Sequence, residues 1–234
     1  MTNIPRRLAV LSSGGGSNLQ AILDYLDRLG SAVPADVVLV ASSRAGAGAL
    51  DRARARGIPA QLIVSPDDGA ALLALLDRHT VSLIALAGYL RLIPPAVTSR
   101  WRGAILNIHP ALLPRFGGAG MYGQAVHRAV IAAGDHESGA TVHFVNDHYD
   151  DGAAIARARV PVTPGESAAQ LASRVLAAEH ALYPRALHAV AVGWIALDRD
   201  GRAVVADRSA LTTGIPPSAV PIEFLAAPSL AGRS

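Results

Sequence analysis

The chain contains no cysteine and no lysine. Without cysteine there is no thiol nucleophile, no disulfide and no thiolate metal ligand. Without lysine there is no Schiff-base or pyridoxal-phosphate anchor and no Walker-type phosphate lysine. All 21 basic residues are arginine. Aromatic residues make up only 4% of the 234 positions, so Ala, Leu, Val and Ile must pack the core. Charge of one sign is also scarce: the net charge is +3 and the arginines are spread along the chain. The loose run Arg52, Arg54, Arg56 cannot share one narrow helix face, which argues against a nucleic-acid stripe. Residues 1–7 are too short and polar for a signal peptide. The apolar run 81–90 ends at Arg91, well short of a membrane span. Neither a nucleic-acid nor a membrane partner is expected, and the expected location is cytoplasmic.

Hydrophobic residues make up 51% of the chain, enough for a substantial core. Apolar strand-like runs at 8–12, 36–41, 60–64, 82–87 and 104–108 alternate with helical patterns after Ser17, with Leu19, Ile22, Leu23 and Leu26 on one face, and at 45–56 and 67–79. Such alternation predicts parallel βαβ units. A helix at 124–133, strands at 141–145 and 154–160, and a long helix at 166–192 interrupted at Pro184 follow. A hairpin is expected at 194–206 around residues 198–201. The fold class expected is α/β, a Rossmann-like, mostly parallel twisted sheet with helices on both faces. No repeat or linker divides residues 1–207, read as one domain with lobes of about 1–105 and 106–207. Residues 208–234 form a proline-containing tail, expected to lie on the surface or be disordered from Thr213 on.

Two segments carry chemistry. Gly14, Gly15 and Gly16 sit between the first strand and a helix with Ser17 as its expected N-cap. Their amides and the helix dipole can cradle an anion; a tight turn with no ligand is the plain alternative. Leu19 stands where a dinucleotide fingerprint has its third glycine. Ser42, Ser43 and Arg44, not an acid, end the second strand, so NADP is disfavoured and a phosphomonoester fits better. At the end of the 104–108 strand, Asn107 and His109 leave on one side. The amide can donate to a developing oxyanion, and the imidazole can donate or move a proton. The acidic turn N-D-H-Y-D-D-G at 146–152 can bring a carboxylate to that imidazole. Together these read as an acyl-transfer site that uses no covalent nucleophile. His127, His136 and His148 make no convincing metal spacing, and His143, beside Phe144, reads as a packed or loop-bracing histidine. No metal is expected.

With these pieces in place, the chain resembles the phosphoribosylglycinamide formyltransferases. The motifs are L-S-S-G-G-G-S-N-L at 11–19, L-A-G-Y-L-R at 86–91, N-I-H-P-A-L-L-P at 107–114, S-G-A-T-V-H-F-V at 138–145 and A-E-H-A-L-Y-P at 178–184. The resemblance implies transfer of the formyl group of 10-formyltetrahydrofolate, a co-substrate, to the primary amine of glycinamide ribonucleotide in purine biosynthesis. It implies that Asn107, His109 and Asp150 are catalytic. Gly15, Gly16, Ser17 and Asn18 would hold the ribonucleotide phosphate, and Glu179 its ribose hydroxyls. Gly88, Leu90, Arg91, Leu92, Val145 and Asp147 would surround the folate. The partners implied are these small molecules, for a monomer or homodimer.

The chain departs from the family pattern at three places. The acidic turn ends Asp150-Asp151-Gly152 where D-G-G is common, so two carboxylates compete and alignment from His143 favours Asp150. The loop 116–123 is longer and lacks the usual histidines. No basic residue follows the third strand at 65–71. The rival readings are a formyltetrahydrofolate hydrolase, expected to carry an additional N-terminal domain, and a non-catalytic nucleotide-binding module. A methionyl-tRNA formyltransferase would need more residues after Gly193.

Overall fold

The computed structural model describes residues 5–228. Strands and helices alternate through its first half: β1 (Arg6–Leu11), α1 (Ser17–Leu29), β2 (Ala35–Ser42), α2 (Gly48–Ala55), β3 (Ala60–Leu62), α3 (Gly69–Arg78), β4 (Leu83–Leu86), α4 (Pro95–Arg100) and β5 (Ile105–His109). Then come α5 (Gln124–Ala132), β6 (Glu137–Phe144), β7 (Ala154–Pro161), α6 (Ala168–Ala191), β8 (Ile195–Leu197), β9 (Ala203–Val205), α7 (Arg208–Thr213), β10 (Glu223–Phe224) and β11 (Ala227–Pro228). The main sheet has the order β10-β7-β6-β5-β4-β1-β2-β3. Its β3-β2-β1-β4-β5 portion is parallel, while β6, β7 and β10 are added antiparallel. This is the expected α/β class. The expected lobe boundary falls at the start of β5, inside one continuous sheet.

Alternation along the strands divides the interior into two cores. Leu8 and Val10 of β1 pack with Leu19 and Ile22 of α1, Leu50 of α2, Val130 of α5 and Val175 and Leu182 of α6. Ala9 and Leu11 face the other way, toward Leu72 and Leu76 of α3 and Val97 of α4. One sheet therefore has helices on both faces, and its parallel strands are buried on both sides.

Several elements differ from the sequence expectation. Pro184 does not interrupt its helix, because α6 runs unbroken from Ala168 to Ala191. Leu182, Tyr183, Pro184, Ala186 and Leu187 are all buried, so tertiary packing offsets the lost backbone bond. In the same turn the Arg185 guanidinium donates to the Ala181 carbonyl at 2.8 Å. Ser17 is the first residue of α1, and Gly16, with φ 76°, is its N-cap. Helices α4 and α7, six residues each, are too short to show a period in the sequence. The C-terminal segment is not a loose tail. Strand β10 pairs with β7, and β11 pairs with β9 of the expected hairpin. Residues 229–234 of the expected tail lie outside the described residues.

Candidate active site

On β5, Leu106 and Ile108 belong to the α1–α6 core, so Asn107 and His109 leave on the opposite face with Ile105. They stand at the strand's carboxyl end, where open α/β sheets place their ligands. Directly across the antiparallel ladder, Asn107 faces His143 and His109 faces Thr141. The β6–β7 register slips between Val142 and His143, an irregularity of the kind that re-aims a side chain beside a site.

Asp150 arrives from the β6–β7 turn. Its φ of 54° is left-handed, a conformation that Asp tolerates better than most residues but that still stores strain. Gly152 makes this turn possible, because a Cβ there would stand 1.8 Å from the Phe144 carbonyl oxygen. Asp151 is turned to Asn146, whose Nδ2 donates to its Oδ2 at 3.1 Å.

The polar groups then converge. His109 Nδ1 is 3.2 Å from Asp150 Oδ2, which also accepts the Gly118 N–H at 3.0 Å. Asn107 Nδ2 donates to Asp150 Oδ1 at 3.2 Å and to His143 Nε2 at 3.1 Å. His143 Nδ1 donates to the Phe144 carbonyl at 2.8 Å. His109 Nε2 donates to the Phe116 carbonyl at 2.7 Å. Both nitrogens of His109 thus face oxygen, so a protonated ring makes both bonds and a neutral ring only one.

Burial depresses the His109 pKa, while Asp150 and the Phe116 carbonyl pull it back up. Burial acts to raise the Asp150 carboxyl, but the adjacent His143 ring, the His109 charge and the Gly118 N–H outweigh it. The carboxyl is held below its ordinary value.

A cleft of about 480 Å³ opens over this cluster, lined by Asn107, His109, His143 and Asp150. Gly88, Leu90, Arg91, Leu92 and Val145 line it too, and so do Asn18 and Glu179. Ser13 holds the 88–90 segment to the glycine turn: its N–H donates to the Gly88 carbonyl at 3.0 Å and its Oγ accepts from Leu90 N at 3.1 Å. Asn18 Nδ2 donates to Glu179 Oε2 at 2.6 Å. Burial pushes the Glu179 carboxyl up to about 7, against the lowering effect of that bond.

Four of the expected residues stand outside this lining. Gly15, Gly16 and Ser17 form the turn that leads into Asn18. There α2 packs on the bare Cα of Gly16, whose Cβ would meet Ala49 Cα at 2.7 Å. Arg52 Nε donates to the Gly15 carbonyl at 2.8 Å. Asp147 is set apart in a separate depression. The Thr98 hydroxyl of α4 donates to its carboxylate.

The family model described as Formyl transferase matches residues 6–187. The chain is 41% identical over 206 residues to the chloroplastic phosphoribosylglycinamide formyltransferase of Arabidopsis thaliana, covering 84% of this chain and 70% of that protein. It superimposes on glycinamide ribonucleotide transformylase 1 from Symbiobacterium toebii with a TM-score of 0.78 and 38% identity, over 87% of this chain and 95% of that one. This chain belongs to the phosphoribosylglycinamide formyltransferase family. It also matches a trifunctional purine biosynthetic protein of Chironomus tentans at 37% identity, where it covers 85% of this chain but spans only 15% of that protein's length.

His143 is the packed, bracing histidine expected from its place beside Phe144, and it also meets the Asn107 amide. What local pattern cannot give is the antiparallel register that sets it against Asn107, 36 residues away. Among the described residues, no group of three or more His, Asp or Glu side chains is arranged to hold a metal ion. No helix among them is long and apolar enough to cross a membrane.

Proposed function

We propose that the chain transfers the formyl group of 10-formyltetrahydrofolate to the primary amine of glycinamide ribonucleotide, a step of purine biosynthesis. The observation that carries the reading is the meeting of Asn107, His109 and Asp150 in one cleft with the buried Asn18–Glu179 pair. The amine is the nucleophile, so the lack of cysteine and lysine is no obstacle. Its attack on the formyl carbon forms a C–N bond and puts negative charge on the formyl oxygen. That oxygen takes over the His109 Nε2–H now held by the Phe116 carbonyl, and one amide proton of Asn107 now given to a protein acceptor. Each such donor contributes roughly 10²–10³ in rate. His109 and Asp150 then manage the proton that leaves the amine and reaches the folate N10 as the old C–N bond breaks. His143 holds the Asn107 amide in plane for this exchange.

Glu179 meets the ribose hydroxyls, the glycine turn meets the phosphate, and the 88–92 segment with Val145 meets the folate ring. The reading places this chemistry in the cytoplasm. It is tested by following folate consumption with and without glycinamide ribonucleotide. Turnover that requires the amine supports transfer, whereas equal turnover with folate alone would mean that water is the acceptor.

A further inference from the structure

Two separate segments wall the part of the cleft assigned to the folate. One is the 88–93 stretch after β4; the other is the β6–β7 turn, through Val145, Tyr149 and Asp150. The turn is held largely by its own bonds. Asn146 Nδ2 donates to Asp151, and the His148 N–H donates to Asn146 Oδ1 at 3.0 Å. At its neck the Phe144 N–H meets the Ala153 carbonyl and the Val145 N–H meets the Ile105 carbonyl, each at 2.9 Å. Residues 147–149 are exposed, and Asp150 has a left-handed backbone that persists only where its surroundings enforce it.

One side-chain bond joins these walls. The 88–93 stretch runs through Pro94 straight into α4, where Val97 and Trp101 are buried in the core. The Trp101 Nε1–H goes to the Val81 carbonyl at 3.1 Å, so α4 is a fixed support. Thr98 lies between these anchors, only 6% exposed, and its hydroxyl donates to Asp147 Oδ1. Among the described residues this is the hydrogen bond that ties 88–101 to the 145–152 turn. The hydroxyl has one proton and a second possible acceptor, the Pro95 carbonyl at 3.0 Å; the charged carboxylate is the stronger of the two. Thr98 and Asp147 both line the separate depression and not the cleft. Their bond therefore reaches the cleft only through the backbone.

We propose that Thr98 is a positioning residue: through Asp147 it sets the gap between the two walls that hold the folate, and with it the place of Asp150. This rests on the formyl-transfer reading above. Without the bond the turn is free to drift from α4, which loosens the folate and moves Asp150 from His109 Nδ1, now 3.2 Å away. The Asn18–Glu179 pair belongs to α1 and α6, so the ribonucleotide end of the cleft is unaffected.

The test uses the full chain with both substrates. Thr98→Val keeps the shape and removes the hydroxyl, and the exposed Asp147 is then left to water. It is expected to lower kcat and to raise the folate KM about 3- to 10-fold each. The Kd for glycinamide ribonucleotide should stay within about twofold. Thr98→Ser keeps the donor and is expected to restore both constants. Asp147→Ala removes the acceptor at an exposed position, and it should show the same two losses even if the valine variant does not fold. The double variant should be no worse than either single one, whereas a direct folate contact of Asp147 would make the losses multiply. Wild-type constants in Thr98→Val or in Asp147→Ala, a serine variant as impaired as the valine one, or multiplied losses would overturn the proposal. Wild-type protein that turns over no formylfolate would instead remove the functional reading itself, and this inference with it.

Discussion

Asn18 and Glu179, 161 residues apart in sequence, share a buried 2.6 Å hydrogen bond that ties the first turn of α1 to the middle of α6. The bond leaves a carboxylate in a place where its charge is poorly solvated, and burial pushes its pKa up to about 7 from an ordinary 4.5. Tyr183, one turn further along α6, shares its hydroxyl proton between the Leu86 and Leu106 carbonyls, 3.0 Å from each. Helix α6 is thereby fastened to the end of β4 and to β5, the strand that bears Asn107 and His109.

The raised Glu179 pKa has a definite sign for stability. Between pH 4.5 and about 7 the folded protein holds a proton that the unfolded chain has released, so this group's contribution declines as pH rises through that window. Glu179→Gln removes the titration. The variant is expected to match wild type near pH 4.5 and to gain on it by on the order of 2–3 kcal/mol at pH 8. Denaturant melts across that range check this, and parallel curves would show that Glu179 ionises normally.

Asp150→Asn keeps the side-chain volume and the tolerance for a left-handed backbone, and an amide oxygen can still accept the Gly118 N–H. It removes the charge that faces His109 Nδ1 at 3.2 Å. Turnover is expected to fall by roughly 10²–10⁴ while the melting temperature moves by only a few degrees. Loss of fold in step with loss of activity would make Asp150 a structural residue. The matching substitution Asp151→Asn is expected to leave turnover within about twofold, since Asp151 bonds Asn146 instead.

Much of this arrangement was readable in the amino-acid order, for physical reasons. Buried parallel strands demand near-continuous apolar runs, so β1, β2, β4 and β5 stood out. The two-residue spacing of Asn107 and His109 placed them on one face whatever the fold. Long-range partners were harder to see. His143 meets Asn107 only through the β5–β6 register, and His127 meets the cleft only through the packing of α5 on α6. Pro184 misled because its local preference was outweighed by a buried helix face. Strand β10 was hidden because two residues show no alternation; it joins β7 where the Arg157 guanidinium grips Glu223 at 2.7 and 2.9 Å.

Acid should unfold the protein through its histidines. Burial lowers the pKa of His109, His127, His180 and His188. Below the ordinary histidine value of about 6.5 the unfolded chain therefore binds more protons than the folded one, and stability falls as pH falls. Asp150, held below its ordinary value, adds to the loss only at lower pH, as the carboxylate itself is protonated. In Glu179→Gln, which lacks the opposing carboxyl titration, the melting temperature is expected to drop between pH 6.5 and 5, and less steeply when His127→Leu is added. A flat profile over that window would mean that these rings are free to protonate in the folded state.

The glycine turn permits a cleaner test of the phosphate assignment than its most constrained residue does. At Gly16 any Cβ meets α2, with Ala49 Cα 2.7 Å away, and φ is 76°. Substitution there would disturb packing and ligand together. Gly15 is exposed, and a Cβ added to it meets nothing within 4 Å. Gly15→Asp is therefore expected to fold with nearly wild-type stability while setting a negative charge where a phosphate should lie. The KM for glycinamide ribonucleotide should rise about tenfold or more, with the folate KM unchanged. The effect should shrink as salt screens the repulsion. Gly15→Asn, of the same size without the charge, should lose far less. A charge-independent loss, or an equal loss for both substrates, would place the phosphate elsewhere.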